Sequence, residues 1–361
     1  MKKIYLFCAL LLAAGCTSRL DLRSGEPESL LVLNARLRTD ESWHRVEVYM
    51  SKLRETSCEY VDDAEVDVYI NGSLSCQAHT YTYETFPARP ANDYHQMFKY
   101  GFQAGYYFNA ELGEGDEIRI VATRGELQAS AQVTVPGAVE LLAVDTITVK
   151  QNPYFDGSDA LECTLKLKDV QGEDNWMRLL LDYHMEEVSH HDSAPDTLRM
   201  ITTMYNLPMY FDDDLNLRGG FHSSREQSAL NETALNLPLV TNKYCIFTDD
   251  GFKDSEYKAL VYLKSNSFYI PLPHPDYDMS FTSSVTFRLL TFNRDEYLFY
   301  QAYTNAITNG TLSAGTTSQI LFEPVTFPSN VDGGLGFVCV ESASSISLDF
   351  SREIPSMATA Q

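Results

Sequence analysis

Apolar and polar residues alternate one by one along most of this chain, the period of a half-buried strand. Leu30–Leu37 (LLVLNARL) and Arg45–Met50 (RVEVYM) read this way. Ala64–Ile70 puts Ala64, Val66, Val68 and Ile70 on one face before Asn71-Gly72 turns the chain. Glu117–Thr123 and Gln128–Val135 form a further pair around Arg124-Gly125, and Pro136-Gly137 closes the block. Turn signals at roughly ten-residue spacing predict an immunoglobulin-like antiparallel β-sandwich over residues 28–138. Within it, Tyr81–Tyr107 is a loop region rich in aromatics and broken by Pro87 and Pro90.

A larger β-rich domain is expected over 139–361. Leu161–Lys168 alternates, Asp169–Asp174 turns, and Trp176–Tyr183 reads as a more continuously apolar strand. Glu186–Ala194 reads as a polar loop and Phe211–Leu217 as an acidic turn. Leu260–Leu263, Tyr269–Leu272 and Ser284–Leu290 are further strands, and Ser318–Phe350 is β-rich. One helix is expected near 293–308. Asn293 suits its cap, Asp295 and Glu296 its first turn, and Tyr297, Tyr300, Thr304 and Ile307 share a face. The fold class is all-β with one or two short helices.

The first residues follow a different logic. Lys2 and Lys3 precede an apolar run, Ile4–Leu12, too short for a bilayer span, which takes about 20 residues. Small residues Ala13, Ala14 and Gly15 then lead to Cys16. This is the order of a lipoprotein signal peptide, residues 1–15, cleaved before a cysteine that receives the lipid. Residues 16–27 would be the tether. Several acyl chains, each CH₂ contributing about 0.8 kcal/mol, would hold Cys16 on a membrane. Thr17 is not the aspartate that favours inner-membrane retention, so the outer membrane is expected.

Composition narrows the partners. Fifty acids face 27 bases, for a formal net charge of −23, and loss of Lys2 and Lys3 with the leader makes the mature chain still more acidic. Such a chain repels phosphate backbones, which argues against nucleic acid. Of seven cysteines, Cys8 leaves with the leader and Cys16 takes lipid. Cys58 and Cys76 flank one predicted strand and are the candidate disulfide in an oxidising compartment. No Cys/His spacing suggests zinc, and no metal or other cofactor is expected.

Several stretches resemble a family of Bacteroidetes lipoproteins, domain of unknown function 4249. They are DDAEVDVYING (Asp62–Gly72), SAQVTVP (Ser130–Pro136), DVQGEDNWMRL (Asp169–Leu179), IFTDDGFKDSEY (Ile246–Tyr257) and, most specific, FEPVTFPSNVDGGLGF (Phe322–Phe337). Where that family usually has glycine in its first strand, this chain has Asn34-Ala35. The resemblance implies an outer-membrane lipoprotein encoded beside a TonB-dependent, SusC-like transporter. Surface-exported members carry acids soon after the lipid cysteine; here Thr17–Arg23 holds one acid and two arginines, so the face of the membrane stays open.

Candidate chemistry is sparse. Gly333, Gly334 and Gly336 have no lysine beside them and β-like flanks, which points to a bulged turn rather than a phosphate cradle. Asp212–Asp214 and Asp249, Asp250, Asp254 and Glu256 lack EF-hand spacing and read as solvated turns. His184, His190 and His191 lack an HExxH frame. No G-x-S-x-G occurs, and no catalytic residue is assigned. Thr146, Ser193 and Thr197 fit a D-[S/T]-apolar O-glycosylation pattern. Tyr94 and Phe98, in the Pro-flanked loop, are the candidate binding residues. The expected function is a non-catalytic accessory or binding subunit of a TonB-dependent transporter; an envelope hydrolase and an adhesive surface component are the alternatives.

Overall fold

The computed structural model describes residues 29–52, 58–88, 102–149, 160–191, 198–222, 241–264, 277–308 and 327–354. The alternating stretches form strands as expected. The first block holds β1 (Leu31–Arg38), β2 (Trp43–Ser51), β3 (Cys58–Tyr60), β4 (Glu65–Ile70), β5 (Ser73–Thr80), β6 (Tyr106–Asn109), β7 (Glu117–Arg124) and β8 (Leu127–Thr134). The second holds β9 (Glu140–Val149), β10 (Ala160–Lys168), β11 (Trp176–His191), β12 (Leu198–Met204), β13 (Ile246–Thr248), β14 (Glu256–Lys264) and β15 (Tyr277–Phe292), then helix α1 (Arg294–Thr308) and the last strand, β16 (Val338–Ile354).

Thirteen strands belong to one sheet, whose main path runs β12-β11-β15-β16-β1-β2-β6-β5-β4-β7-β8. β5 divides its pairing: Ala78 and the residues before it face β4, while His79 and Thr80 face β6. The path therefore folds over at β5, as strands that switch layers do. One core fills the resulting sandwich, with Leu33, Leu37, Val46 and Val48 from one layer and Val66, Val68, Ile118 and Ile120 from the other. The second core lies between β11-β15-β16 and the small sheet β14-β10-β9, around Leu165, Leu179, Phe247, Val261 and Phe287.

β16 joins the two blocks. Its first four residues pair in parallel with β1, Ala35 facing Val338 and Arg38 facing Glu341. From Ser342 onward it pairs antiparallel with β15 instead. Val338 and Val340 are completely buried in the first core, each worth about 1.5–3 kcal/mol of apolar burial. The first sandwich thus takes its final strand from the far end of the chain, so residues 28–138 do not complete it alone.

The glycine-rich segment sets up that strand. Leu335 exchanges hydrogen bonds with Leu31 and Leu33 of β1, at 2.9 and 2.8 Å, while Asp332 exchanges two with Ser130 of β8, at 2.7 and 2.9 Å. It lies between the two edges and closes the sandwich. A Cβ on Gly334 would come within 2.6 Å of the Leu31 carbonyl, so the backbones meet only because that side chain is absent. Asn330 makes two bonds with Val338, and Asn34 Oδ1 accepts from Phe337 N at 3.0 Å. The expected bulged turn is a strut between two strand edges.

Two sequence expectations need correction here. Cys58 and Cys76 are both free thiols. Cys58 faces Ser51 on the outer side of β2, whereas Cys76 faces Val68 in the opposite layer; a bridge requires Cβ atoms about 3.8 Å apart. Glu186–Ala194 is not a loop up to His191, because β11 continues between β15 and β12, whose hydrogen bonds hold even a polar stretch extended. Tyr269–Leu272 lies outside the described residues.

Candidate functional site

The layer β11-β15-β16-β1-β2 presents two unlike faces. Leu179, Leu181, Phe287, Leu289, Val338, Val340, Leu33 and Leu37 enter the cores. The intervening positions carry Arg178 and Asp182 on β11, Arg288 on β15, Cys339 and Glu341 on β16, Arg36 and Arg38 on β1, and Arg45 and Glu47 on β2. The register sets them side by side: Leu180 faces Arg288, Arg36 faces Cys339, and Arg38 faces Glu341. Helix α1 covers part of this charged face. Its Tyr297 and Tyr300 are buried with Leu180, Ile246, Leu290 and Phe292. Asn293 holds the expected cap position, its carbonyl accepting from Glu296 N at 3.1 Å and Tyr297 N at 3.3 Å, while its side-chain amide donates to the Thr134 carbonyl at 3.1 Å and ties the start of α1 to β8.

Glu296, in the first turn of α1, is 2% exposed and Glu341 is 1% exposed. As two carboxylates, their four oxygens would have no hydrogen-bond donor. Burial, and then the charge of Glu341, push the Glu296 carboxyl well above its ordinary value, and the proton it keeps bonds to Glu341. The Cys339 thiol is likewise raised, by burial first and then by Glu296 and Glu341, and stays a thiol. One negative charge therefore remains on the pair, and Arg36 Nε stands 3.7 Å from Glu341 Oε1 to meet it. Burial works against the Arg36 charge, and the Glu341 carboxylate beside it supports that charge.

This arrangement has a signed pH signature. Above the ordinary value of 4.5, and up to the raised value of Glu296, the unfolded chain releases a proton that the folded chain keeps. Stability contributed by that proton is present below the ordinary value and lost as pH rises through the raised one. Glu296→Gln donates an amide hydrogen to Glu341 at every pH. We expect it to match the parent near pH 4 and to exceed it by about 1–3 kcal/mol at pH 8 in denaturant titrations. A difference that does not change between the two pH values would refute the shared proton.

Two cavities flank the Arg36–Glu341 contact. One, of about 370 Å³, is lined by Arg36, Arg45, Glu47, Glu296, Phe299 and Phe337. Phe299 and Phe337 stack at 5.0 Å, with Phe327 5.6 Å from Phe299. The other, of about 410 Å³, is lined by Arg36, Arg38, Arg178, Arg288, Asp182 and Glu341, with Tyr205 among its walls.

The residues singled out from sequence lie elsewhere. Cys16, Tyr94, Phe98, Ser193 and Thr197 fall outside the described residues. Thr146 is exposed on β9, between exposed Asp145 and Ile147, at the open edge of the small sheet. His184 is exposed and bonds Thr203 Oγ1 at 3.0 Å. Among the described residues, no three His, Cys, Asp or Glu side chains are grouped to hold a metal. The acidic turns are not simply solvated. Asp214 is 6% exposed and Asp249 2%; Asp214 accepts four hydrogen bonds, and Asp249 takes the Asn175 backbone N–H at 3.0 Å. Trp43, Tyr81, Phe86, Phe102 and Tyr107 form a mutual ring cluster beside β6.

The charged seam was missed because alternation assigns polar strand positions to solvent. A signal was present nonetheless: Arg178 and Asp182 interrupt the run WMRLLLDY, and Glu341 ends VCVE, where strands read as buried on both sides.

Fold and seam define an all-β protein whose two sandwiches share one strand. The chain belongs to the family described as a domain of unknown function (DUF4249), which matches residues 17–347. No curated protein matches it.

Proposed function

We propose that this chain is a lipid-anchored, non-catalytic outer-membrane protein of the Bacteroidetes that binds a ligand or partner for a TonB-dependent, SusC-like transporter. The observation that carries the reading is the opening stretch, where Lys2-Lys3, the short apolar run and the small residues end at Cys16. Family membership is consistent with it. The seam cavities supply half-open, arginine-lined space suited to a ligand. Glu296 keeps its proton, as a general acid would, but its oxygens are sealed against Glu341 and Cys339. That geometry suits a structural proton better than an acid presented to substrate, which favours binding over hydrolysis.

Cys16→Ala is expected to move the chain from the membrane pellet to the soluble fraction, and the parent's amino-terminal peptide to carry the mass of its acyl chains. An unmodified Cys16, or a variant still in the pellet, would overturn the anchor. Affinity purification from detergent-solubilised membranes should retain a TonB-dependent barrel. Its reproducible absence would overturn the transporter partnership.

A further inference from the structure

Four of the chain's sixteen arginines line the 410 Å³ cavity, in a protein where acids outnumber bases 50 to 27. Three of them are matched. Arg38 contacts Asp40 at 2.9 Å and Glu41 at 3.2 Å. Arg288 contacts Asp40 at 3.3 Å and Asp182 at 3.2 Å. Arg36 stands against Glu341.

Arg178 differs. It is 9% exposed, yet its partners are neutral. Its Nε donates to the Tyr244 carbonyl at 3.2 Å and its Nη1 to the Tyr300 hydroxyl at 2.8 Å. The rings of Tyr244 and Tyr300 lie 5.4 and 5.0 Å away. Burial, followed by the charge of Glu341, raises the Tyr300 hydroxyl, so it is no anion at neutral pH. Among the described residues, no carboxylate forms an ion pair with Arg178. A buried cation without a counterion is unfavourable, and an anion entering from the cavity would relieve it. Beside it, Arg288 is held by Asp40 through Nε and by Asp182 through Nη2.

We propose that this cavity binds a small molecule through its carboxylate, held by Arg178 with Arg288 alongside. The planar guanidinium fork matches a carboxylate. The four arginines face four carboxylates in all, Asp40, Glu41, Asp182 and Glu341, but Arg178 pairs with none of them; its fork has room for a single negative charge, which a carboxylate brings and a doubly charged phosphate exceeds. The remainder of the ligand lies over Leu180 and Leu290 toward Tyr205, whose ring is 70% exposed. The volume suits a sugar acid or a peptide C-terminus. The inference gives the binding reading a ligand class, and its test needs neither anchor nor transporter.

The full chain in detergent is titrated with D-glucuronate and with N-acetyl-alanyl-alanine, each against its uncharged partner, methyl glucoside or the peptide amide. Calorimetry and thermal unfolding are the readouts. At least one acid is expected to bind saturably and raise the melting temperature while its neutral partner does neither, and the acid that binds names the source. Arg178→Gln is expected to lose about tenfold or more in affinity. Should that variant fold poorly, Tyr205→Ala, altered only at an exposed ring, is expected to lose about threefold. Equal binding of acid and neutral partner, no saturable binding of either acid, or full affinity in a folded Arg178→Gln would each overturn the carboxylate site. None of these outcomes bears on barrel retention, so the two readings fail separately.

Discussion

Gly336→Val is expected to cost about 3–5 kcal/mol and to loosen β16 from β1. Gly336 has φ +115°, a region closed to residues with side chains, and a Cβ there would stand 2.2 Å from the Leu33 carbonyl and 2.8 Å from Asn34 Oδ1. Neither neighbour can retreat without loss. Leu33 bonds Leu335 through its N–H, and Asn34 Oδ1 holds Phe337 N. Gly125→Ala makes the control: its φ is +60° but nothing lies within 4 Å of the new Cβ, so about 1 kcal/mol of backbone strain is the whole cost. Denaturant melts of both variants decide the matter. A Gly336→Val loss no larger than that of Gly125→Ala would mean that the glycine segment is not a strut.

The second large effect is expected at Asp214. Its carboxylate accepts the backbone N–H groups of Asn216 and Leu217 at 3.0 Å each, that of Leu260 at 2.9 Å, and the Tyr257 hydroxyl at 2.6 Å. Asp214 thereby fixes the 211–217 turn against β14. Asp214→Ala strands these donors in a buried place and is expected to cost about 3–5 kcal/mol. The neighbouring exposed Asp213, changed to Ala, is expected to move stability by no more than about 0.5 kcal/mol. Equal losses in the two variants would return the turn to the solvated role its sequence suggests.

The contrast between those two aspartates shows where sequence reading stops. FDDDLNL offers three equivalent acids, and only the fold selects which one turns inward. Local order was readable wherever one strand faces one core: Val66, Val68 and Ile70 alternate, and Asn71-Gly72 turns, as written. The helix was readable too, since Tyr297, Tyr300 and Thr304 recur at its period and are buried together. Properties that belong to pairing were not. Glu186–His191 is held straight by neighbours on both sides, which its own polarity does not announce. The seam arose because Arg36, Glu341 and Arg178 come from three distant strands, and each alone resembles an ordinary surface charge.

The shared strand has a consequence for how the molecule comes into being. Phe337 and Asn34, hydrogen-bonded in the finished protein, are 303 residues apart. A polypeptide made from its amino end must release some 303 further residues before β1 gains its second lateral neighbour. Products cut short ahead of Val338 would keep that flank bare, and bare flanks recruit foreign strands. Assembly would therefore be slow and governed by residues made long after β1.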